Sequence, residues 1–190
     1  MPLYEVSRLG VLRSQFDSSW EMLATRLDGL TDEEYLWEPV PGCWTVRRRS
    51  EAKTPDPRGG GEWVIDWVWG NPEPAPFTTI AWRLAHLTDG LVLRQDWSFG
   101  TRSKDQGALT HTPRANEAIA ALEAAVAAWS QGLASVRDED LDTVGFSQFP
   151  GGLDRTLPFG HILWWVNREL IHHGAEVGCL RDLYAATRAG

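Results

Sequence analysis

The sequence is poor in cysteine and in clustered positive charge. Its 190 residues include two cysteines, Cys43 and Cys179, and no Cys-x-x-Cys pair. This pattern indicates neither a disulfide framework nor a cysteine-rich zinc module, and we interpret both thiols as reduced and partly buried. The formal net charge is −8, and the strongest basic cluster, the three arginines at 47–49, is followed at once by Ser50 and Glu51. We therefore expect no nucleic-acid partner.

Long hydrophobic runs are also missing. No apolar stretch approaches the roughly 20 residues that cross a membrane. The first five residues, Met-Pro-Leu-Tyr-Glu, contain neither the basic nor the apolar region of a secretion signal. These absences predict a cytoplasmic protein with no membrane partner. The length suits one domain with a substantial core and is short for two, so residues 1–190 are predicted to form a single helical domain.

Helical signals and tryptophan, in contrast, are abundant. Apolar residues at steps of three and four predict a first helix over residues 6–27, and a short helical turn opens at Thr31. Further helices are predicted over residues 80–97 after the capping pair at 78–79, over the Ala-rich 114–136, and over 159–187. Four long helices without a convincing sheet predict an all-α fold, an antiparallel four-helix bundle.

A long segment of different composition separates the first two long helices. Residues 39–76 are rich in Pro, Gly and Trp, and the stretch 55–61 (PDPRGGG) cannot form a packed helix. Alternation over residues 63–69 is compatible with a short extended piece, although both of its faces are apolar. Trp63, Trp67 and Trp69 would form an aromatic lid over a pocket or simply cap the bundle end. The role of this 46–77 insertion stays open at this point.

Ionisable residues on apolar helix stripes indicate the chemistry. Glu169 and His173 lie one turn apart on the stripe of the last helix, where a carboxylate and an imidazole can reach one metal ion. His86, midway along the second long helix, supplies a third ligand from a partner helix. This donor set suits Zn²⁺ or Ni²⁺, and three protein ligands leave one position open for water or substrate.

Each of these residues also has a simpler interpretation. A lone core histidine is more often hydrogen-bonded than metal-bound, and a Glu and a His four residues apart on one helix can be an intrahelical contact. His172 is the alternative ligand or a supporting neighbour, although it points about 100° away from His173. The residues proposed to line a pocket are Trp44, Trp82, Arg83 and Trp165. Arg83 would bind a substrate carboxylate or pair with a neighbouring acid.

Four remaining ionisable residues receive a plain interpretation. Glu176 and Arg168 are read as solvated or paired charges. His161, in the first turn of the last helix, and His111, in a loop, carry no signal of function.

Three segments resemble the DinB superfamily. They are residues 79–87 (TIAWRLAHL), 166–176 (VNRELIHHGAE) and 37–44 (WEPVPGCW). The resemblance covers most of the chain outside the insertion and implies a four-helix bundle with a metal bound by three residues. Many members use three histidines, whereas this chain has Glu169 four residues before His173. A His-Glu-His set is similar to that of the mycothiol-dependent maleylpyruvate isomerase branch, where it implies zinc.

The resemblance and the residues together lead to three functional hypotheses. The first is a metal-dependent transferase or isomerase that uses a low-molecular-weight thiol such as mycothiol, the thiol being implied by the resemblance alone. The second is a hydrolase that uses metal-bound water. The third is a non-catalytic, stress-associated binding module with a closed metal site. A small-molecule substrate is expected for both enzymes. The Ala-rich helix suits a homodimer interface or close packing inside one chain.

Overall fold

The helices predicted from periodicity form the frame of the molecule. The structure, a computed structural model, describes residues 7–70 and 72–188. Its α-helices are α1 (Arg8–Leu27), α2 (Asp32–Leu36), α3 (Ile80–Phe99), α4 (Ala115–Leu133) and α5 (Phe159–Arg188). The predicted mostly helical fold is confirmed, and the predicted helix boundaries within the described residues differ from these by at most three positions. The predicted first residue of α1, Val6, lies outside the described residues.

Side-chain caps explain where two of these helices begin. The hydroxyl of Ser7 accepts the backbone N–H of Gly10 and starts α1, and Thr79 accepts the N–H of Trp82 and starts α3. Each cap satisfies one of the backbone donors that a helix leaves unpaired in its first turn. Thr79 is itself buried, so it anchors the N-terminal end of α3 in the core. His86 follows seven residues later.

The long helices pack side by side, and α5 contacts both α1 and α3. Buried Asn167 donates from Nδ2 to the carbonyl of Leu12 at 2.8 Å and to Oε1 of Gln15 at 3.0 Å. These bonds attach one face of α5 to α1. They therefore help to set the rotation of α5 that turns Glu169 and His173 toward α3.

The insertion contains a small sheet that the all-α prediction omitted. Strand β1 (Val46–Arg48) pairs antiparallel with β2 (Trp63–Ile65). The extended piece predicted within residues 63–69 is thus present over the first three of them. The prediction missed β1 because a three-residue strand is too short to show a period.

A buried carboxylate organises the insertion. Asp66 is fully buried and accepts from Nε of Arg47 at 2.8 Å, as well as from the backbone N–H groups of Thr45 and Lys53. A buried charge with a cation and two N–H donors is compensated where an isolated one would not be. The insertion is therefore an ordered cover tied to one internal anchor.

Two of the expectations drawn from absences can be compared with the structure. None of the described helices is both long and apolar enough to cross a membrane. Both cysteines are free: Cys43 is buried, whereas Cys179 is exposed, so the prediction of partial burial was wrong for Cys179.

Candidate metal centre

Helices α3 and α5 bring the three predicted ligands together. Nε2 of His86 lies 3.2 Å from Oε2 of Glu169, and Nε2 of His173 lies 3.4 Å from the same oxygen. All three donor atoms lie within 4.8 Å of one another. The side chains are 13–17% exposed, so the cluster is largely withdrawn from solvent without being sealed.

These separations fit a single first-row metal ion. Ligands at the usual zinc distances of about 2.0–2.2 Å in tetrahedral geometry are roughly 3.3 Å apart from one another. The two imidazole–carboxylate distances agree with that value. Two imidazoles and a carboxylate also form a known catalytic zinc donor set. The residues present therefore suit a divalent ion chemically and geometrically.

Aromatic rings fix the orientation of His86. Its imidazole stacks on Trp82 with centroids 4.8 Å apart and planes 12° apart, and on Trp67 at 5.9 Å and 15°. The indole Nε1 of Trp82 donates to the carbonyl of Asp66 at 2.8 Å. The insertion thereby holds the stack in place. Of the lid candidates, Trp67 contacts a ligand, whereas Trp69 is 64% exposed and Trp63 packs under Arg48.

A second carboxylate supports His173 from behind. Oε2 of Glu176 lies 2.7 Å from Nδ1 of His173 and accepts from Nε of Arg83 at 2.8 Å. A carboxylate at Nδ1 favours the proton on that nitrogen and leaves the lone pair on Nε2, the atom that faces Glu169. Arg83 thus pairs with a neighbouring acid, the second of the two roles considered for it. Glu176, interpreted as a paired charge, is paired with the site itself.

The carboxylate of Glu169 is kept ionised by its neighbours. Burial alone would raise its pKa, but hydrogen bonds with His173, His86 and Arg168 lower it well below the usual range. Arg168 donates to Oε1 at 2.8 Å, which leaves Oε2 facing the imidazoles. An anionic oxygen between two imidazole nitrogens attracts a cation, because it offers the charge that a metal ion needs.

The two imidazoles differ in their electrostatic surroundings. Burial lowers the pKa of His86, although its hydrogen bond with Glu169 opposes the shift. Burial also acts to lower the pKa of His173, but the hydrogen bonds with Glu169 and Glu176 outweigh it and raise that pKa. His86 is therefore the more readily available as a neutral ligand, and protons compete with metal chiefly at His173.

His172, the alternative ligand, lies at the edge of the cluster. Its side chain is 65% exposed, and Nε2 lies 3.4 Å from Oε1 of Glu176. Together with His173 and Glu176 it forms a second group close enough to share an ion. Because His172 is mostly exposed, whereas His86, Glu169 and His173 are largely buried, the three predicted ligands remain the better donor set.

A small cavity adjoins the ligands. It measures about 20 Å³, which is room for one water molecule. Trp165, Val166 and Leu170 of α5 line it with His86, Glu169 and the α3 residues Leu87, Gly90 and Leu91. The predicted pocket residue Trp165 therefore lines the cavity, whereas Trp44 and Trp82 do not; their ring centroids are 6.3 Å apart.

Sequence reasoning missed three residues near this centre. Arg58 of the insertion lies with its guanidinium 3.3 Å from the ring centroid of Trp67. Nε2 of His111, interpreted as a plain loop residue, is 3.7 Å from Oδ2 of Asp89 in a buried pair. Arg58 and His111 come from loops, where no periodic pattern indicates direction. Asp89 could have been found, because it follows His86 by one helical turn.

Comparison with known families agrees with this geometry. A family model described as the DinB superfamily matches residues 15–177. The chain belongs to the DinB superfamily. Neither the curated proteins nor the solved structures gave a match. The matched range includes the positions of His86, Glu169 and His173.

Proposed function

We propose that this DinB-superfamily protein is a metal-dependent enzyme whose ion is held by His86, Glu169 and His173. The observation that carries the proposal is the convergence of two Nε2 atoms on one carboxylate oxygen at 3.2 and 3.4 Å, beside a cavity of water size. Three ligands with space for a fourth are typical of catalytic zinc sites, whereas structural sites are closed by four protein ligands.

The bundle arrangement of the family is part of the same proposal. In it, α1, α3, α4 and α5 form the antiparallel four-helix bundle, and the insertion 46–77 covers the end at which the ligands lie. The packing of α5 on α1 and α3 and the stacking of Trp67 on His86 support this assignment. The metal is Zn²⁺ or Ni²⁺, because imidazole and carboxylate donors suit both.

A bound divalent ion would supply charge that lowers the pKa of a thiol or water in the open position and so creates a nucleophile near neutral pH. The protein's own residues orient the donors. Glu176 keeps the His173 proton on Nδ1, the Trp82 and Trp67 rings hold the imidazole plane of His86, and Trp165 shields the cavity from bulk water. A shielded site strengthens every electrostatic interaction within it.

The leading version of the proposal uses a low-molecular-weight thiol as the nucleophile. The test incubates metal-loaded protein with mycothiol, bacillithiol or glutathione and an electrophilic acceptor. It follows both the acceptor and the free thiol, because a transferase consumes the thiol whereas an isomerase converts the acceptor and regenerates the thiol. Turnover is expected with one thiol and is expected to disappear in His86→Ala. His161→Ala is the matched control, since His161 is an exposed histidine of the first turn of α5. Absence of turnover with every thiol would rule out the transferase or isomerase version.

A second candidate, hydrolysis by activated water, is favoured by the size of the cavity. About 20 Å³ is room for one water molecule. A hydrolase would cleave ester or amide substrates with no thiol added, and this cleavage would also disappear in His86→Ala. Stoichiometric metal without turnover in either assay would leave the non-catalytic binding module as the function.

A further inference from the structure

A larger cleft lies along α3 beyond the metal centre. It measures about 440 Å³ and falls within the range of small-molecule sites. Its lining includes Leu93 and Trp97 of α3, with Trp69, Lys104, Gln106 and Phe149 from three loops. Leu93 follows His86 by seven residues, which is roughly 10 Å along a helix axis. A molecule of moderate length is therefore long enough to span the distance from the cleft to the level of the metal ligands.

Arg58 stands between the cleft and the metal centre. On one side its guanidinium lies 3.3 Å from the ring centroid of Trp67, the ring that stacks on His86. On the other side it lies 5.3 Å from the centroid of Trp69, which lines the cleft. The backbone of Arg58 exchanges two hydrogen bonds with Ile65 of β2, so the direction of the side chain is set by the sheet.

The positive charge of Arg58 has no matching carboxylate. No described acidic side chain forms an ion pair with it. With its amide oxygen turned toward the guanidinium, Gln106 accepts from Nε and Nη2 at 3.1 and 3.2 Å and leaves the other N–H donors free. Burial lowers the pKa of Arg58 to about 10, and the charge of Asp89 opposes this shift only in part. A guanidinium in this situation is ready to bind an external anion.

Arg94 contacts one ring of the metal cavity and one ring of the cleft. Its guanidinium lies 3.8 Å from the ring centroid of Trp165, which lines the metal cavity, and 4.7 Å from that of Phe149, which lines the cleft. Oδ1 of Asp154 lies 3.3 Å from Nη2 of Arg94. The buried Nε of Arg94, in contrast, has no hydrogen-bond partner among the described residues. Each of the two guanidinium groups therefore contacts one ring that lines the cleft and one ring beside the candidate metal centre.

This concentration of cations contrasts with the rest of the protein, whose formal net charge is −8. The nearby acids are already engaged. Asp105 accepts the N–H of Gly107, and Asp96 accepts the N–H groups of Thr101, Ser103 and Lys104. Lys104 lines the cleft together with Asp105, and the guanidinium of Arg58 lies next to two of the cleft's lining residues, Trp69 and Gln106.

We propose that the cleft binds an organic carboxylate with an apolar or aromatic body, whose carboxylate pairs with Arg58 and Lys104 and whose body lies against Trp69, Trp97 and Phe149. This inference rests on the proposed function in one respect only: the far end of the molecule would be the part presented to the metal. Substrates of this class fit the site because aromatic walls and a guanidinium recognise the body and the charge separately.

The test compares two probes that differ only in charge, 1-naphthylacetate and 1-naphthylacetamide, by isothermal titration calorimetry. The parent protein is expected to bind the carboxylate at least tenfold more tightly than the amide. Arg58→Gln should weaken carboxylate binding by roughly tenfold and leave amide binding unchanged, since one charge-assisted hydrogen bond is lost. Arg58→Lys should restore part of the difference, and Lys104→Gln should weaken carboxylate binding by a few fold.

Arg48→Gln is the matched control. Arg48 also lies over a tryptophan of the insertion, with its guanidinium 5.0 Å from the ring centroid of Trp63, but it is outside the cleft and pairs with Glu62. It should leave both affinities unchanged. Equal binding of the two probes, no binding of either, or an unchanged charge preference in both Arg58→Gln and Lys104→Gln would overturn the proposal. Should Arg58→Gln fail to fold, Lys104→Gln and Trp69→Ala, both at exposed positions, decide the outcome.

The same titrations on metal-free protein separate this inference from the proposed function. Charge-selective binding that persists without metal supports the cleft even when no turnover is found. Charge selectivity that disappears with Glu169→Ala but survives Arg58→Gln would mean that the probe binds the metal instead, and this result would overturn the cleft assignment while supporting the metal centre.

Discussion

Two pairings of imidazole with carboxylate occur along α3, and they differ in the partners of the carboxylate. At the metal centre, Glu169 lies between His86 and His173 and also accepts from Arg168. One turn further along α3, Oδ2 of Asp89 lies 3.7 Å from Nε2 of His111, and neither atom has a hydrogen-bond partner among the described residues.

The pKa values of the two carboxyl groups differ because their hydrogen-bond partners differ. Burial raises the pKa of Asp89 well above its usual value, and the distant charge of Arg58 only partly opposes this shift. Three hydrogen bonds reverse the same effect at Glu169. Burial therefore neutralises a carboxyl group that lacks donors, whereas supplied donors keep it anionic and able to bind metal. Proximity of a histidine to an acid does not by itself make a metal site.

The largest expected effect is loss of metal from the first pairing. His86→Ala, Glu169→Ala and His173→Ala should each weaken metal binding by more than about 100-fold, because even supporting residues of such sites contribute 10- to 100-fold. Elemental analysis of purified protein should find near-stoichiometric metal in the parent and little in each variant. His111→Ala, from the second pairing, is the control. Undiminished metal in the Glu169 variant would move the third ligand to His172.

The pairing of His111 with Asp89 should instead affect how the free energy of unfolding depends on pH. Burial lowers the pKa of His111 to about 4 from 6.5, so between these values the unfolded state binds more protons than the folded state. Stability must therefore fall as the pH falls from about 7 toward 4, by roughly 3 kcal/mol at most for this group. Urea unfolding at pH 7 and pH 4.5 should show a smaller loss in His111→Gln than in the parent. Equal losses would contradict the assignment.

A smaller effect is expected from the residue that supports His173. Glu176→Gln should weaken metal binding by about 10- to 100-fold without unfolding the protein, because the proton on Nδ1 of His173 loses its acceptor. Competition with a chromophoric chelator measures the affinity. Asp182→Asn, an exposed acid of the same helix paired with Arg26, is the matched control. An unchanged affinity in Glu176→Gln would show that the contact does not orient the ligand.

The smallest effect is expected at Asp89. Because burial raises the pKa of Asp89 and favours its neutral form, Asp89→Asn introduces a neutral group of similar shape and should change the free energy of unfolding by less than about 1 kcal/mol at neutral pH. Equilibrium urea unfolding tests this expectation. A loss of several kcal/mol would indicate an ionised Asp89 and would remove the contrast between the two pairings.

Most of the helical frame and the inward positions of the three candidate ligands could be predicted from the sequence. The stripes through Trp82 and Leu93 on α3 and through Val166 and Val177 on α5 place His86, Glu169 and His173 on inward faces. The partners of Arg83, the stack of Trp67 on His86 and the pairing of His111 with Asp89 could not be predicted. These contacts involve loops or separate helices, and no short-range period specifies them.

The sequence by itself determined which segments are helical, which residues face inward and which donor types are available, because helix periodicity is a local property of a few consecutive turns. Only the tertiary structure decided that the donors meet within metal-binding distance, that Glu176 contacts Nδ1 of His173, and that the pKa of Glu169 is lowered while that of Asp89 is raised. Distances between helices and the loss of solvation depend on groups contributed by distant parts of the chain, and these are brought together only by folding.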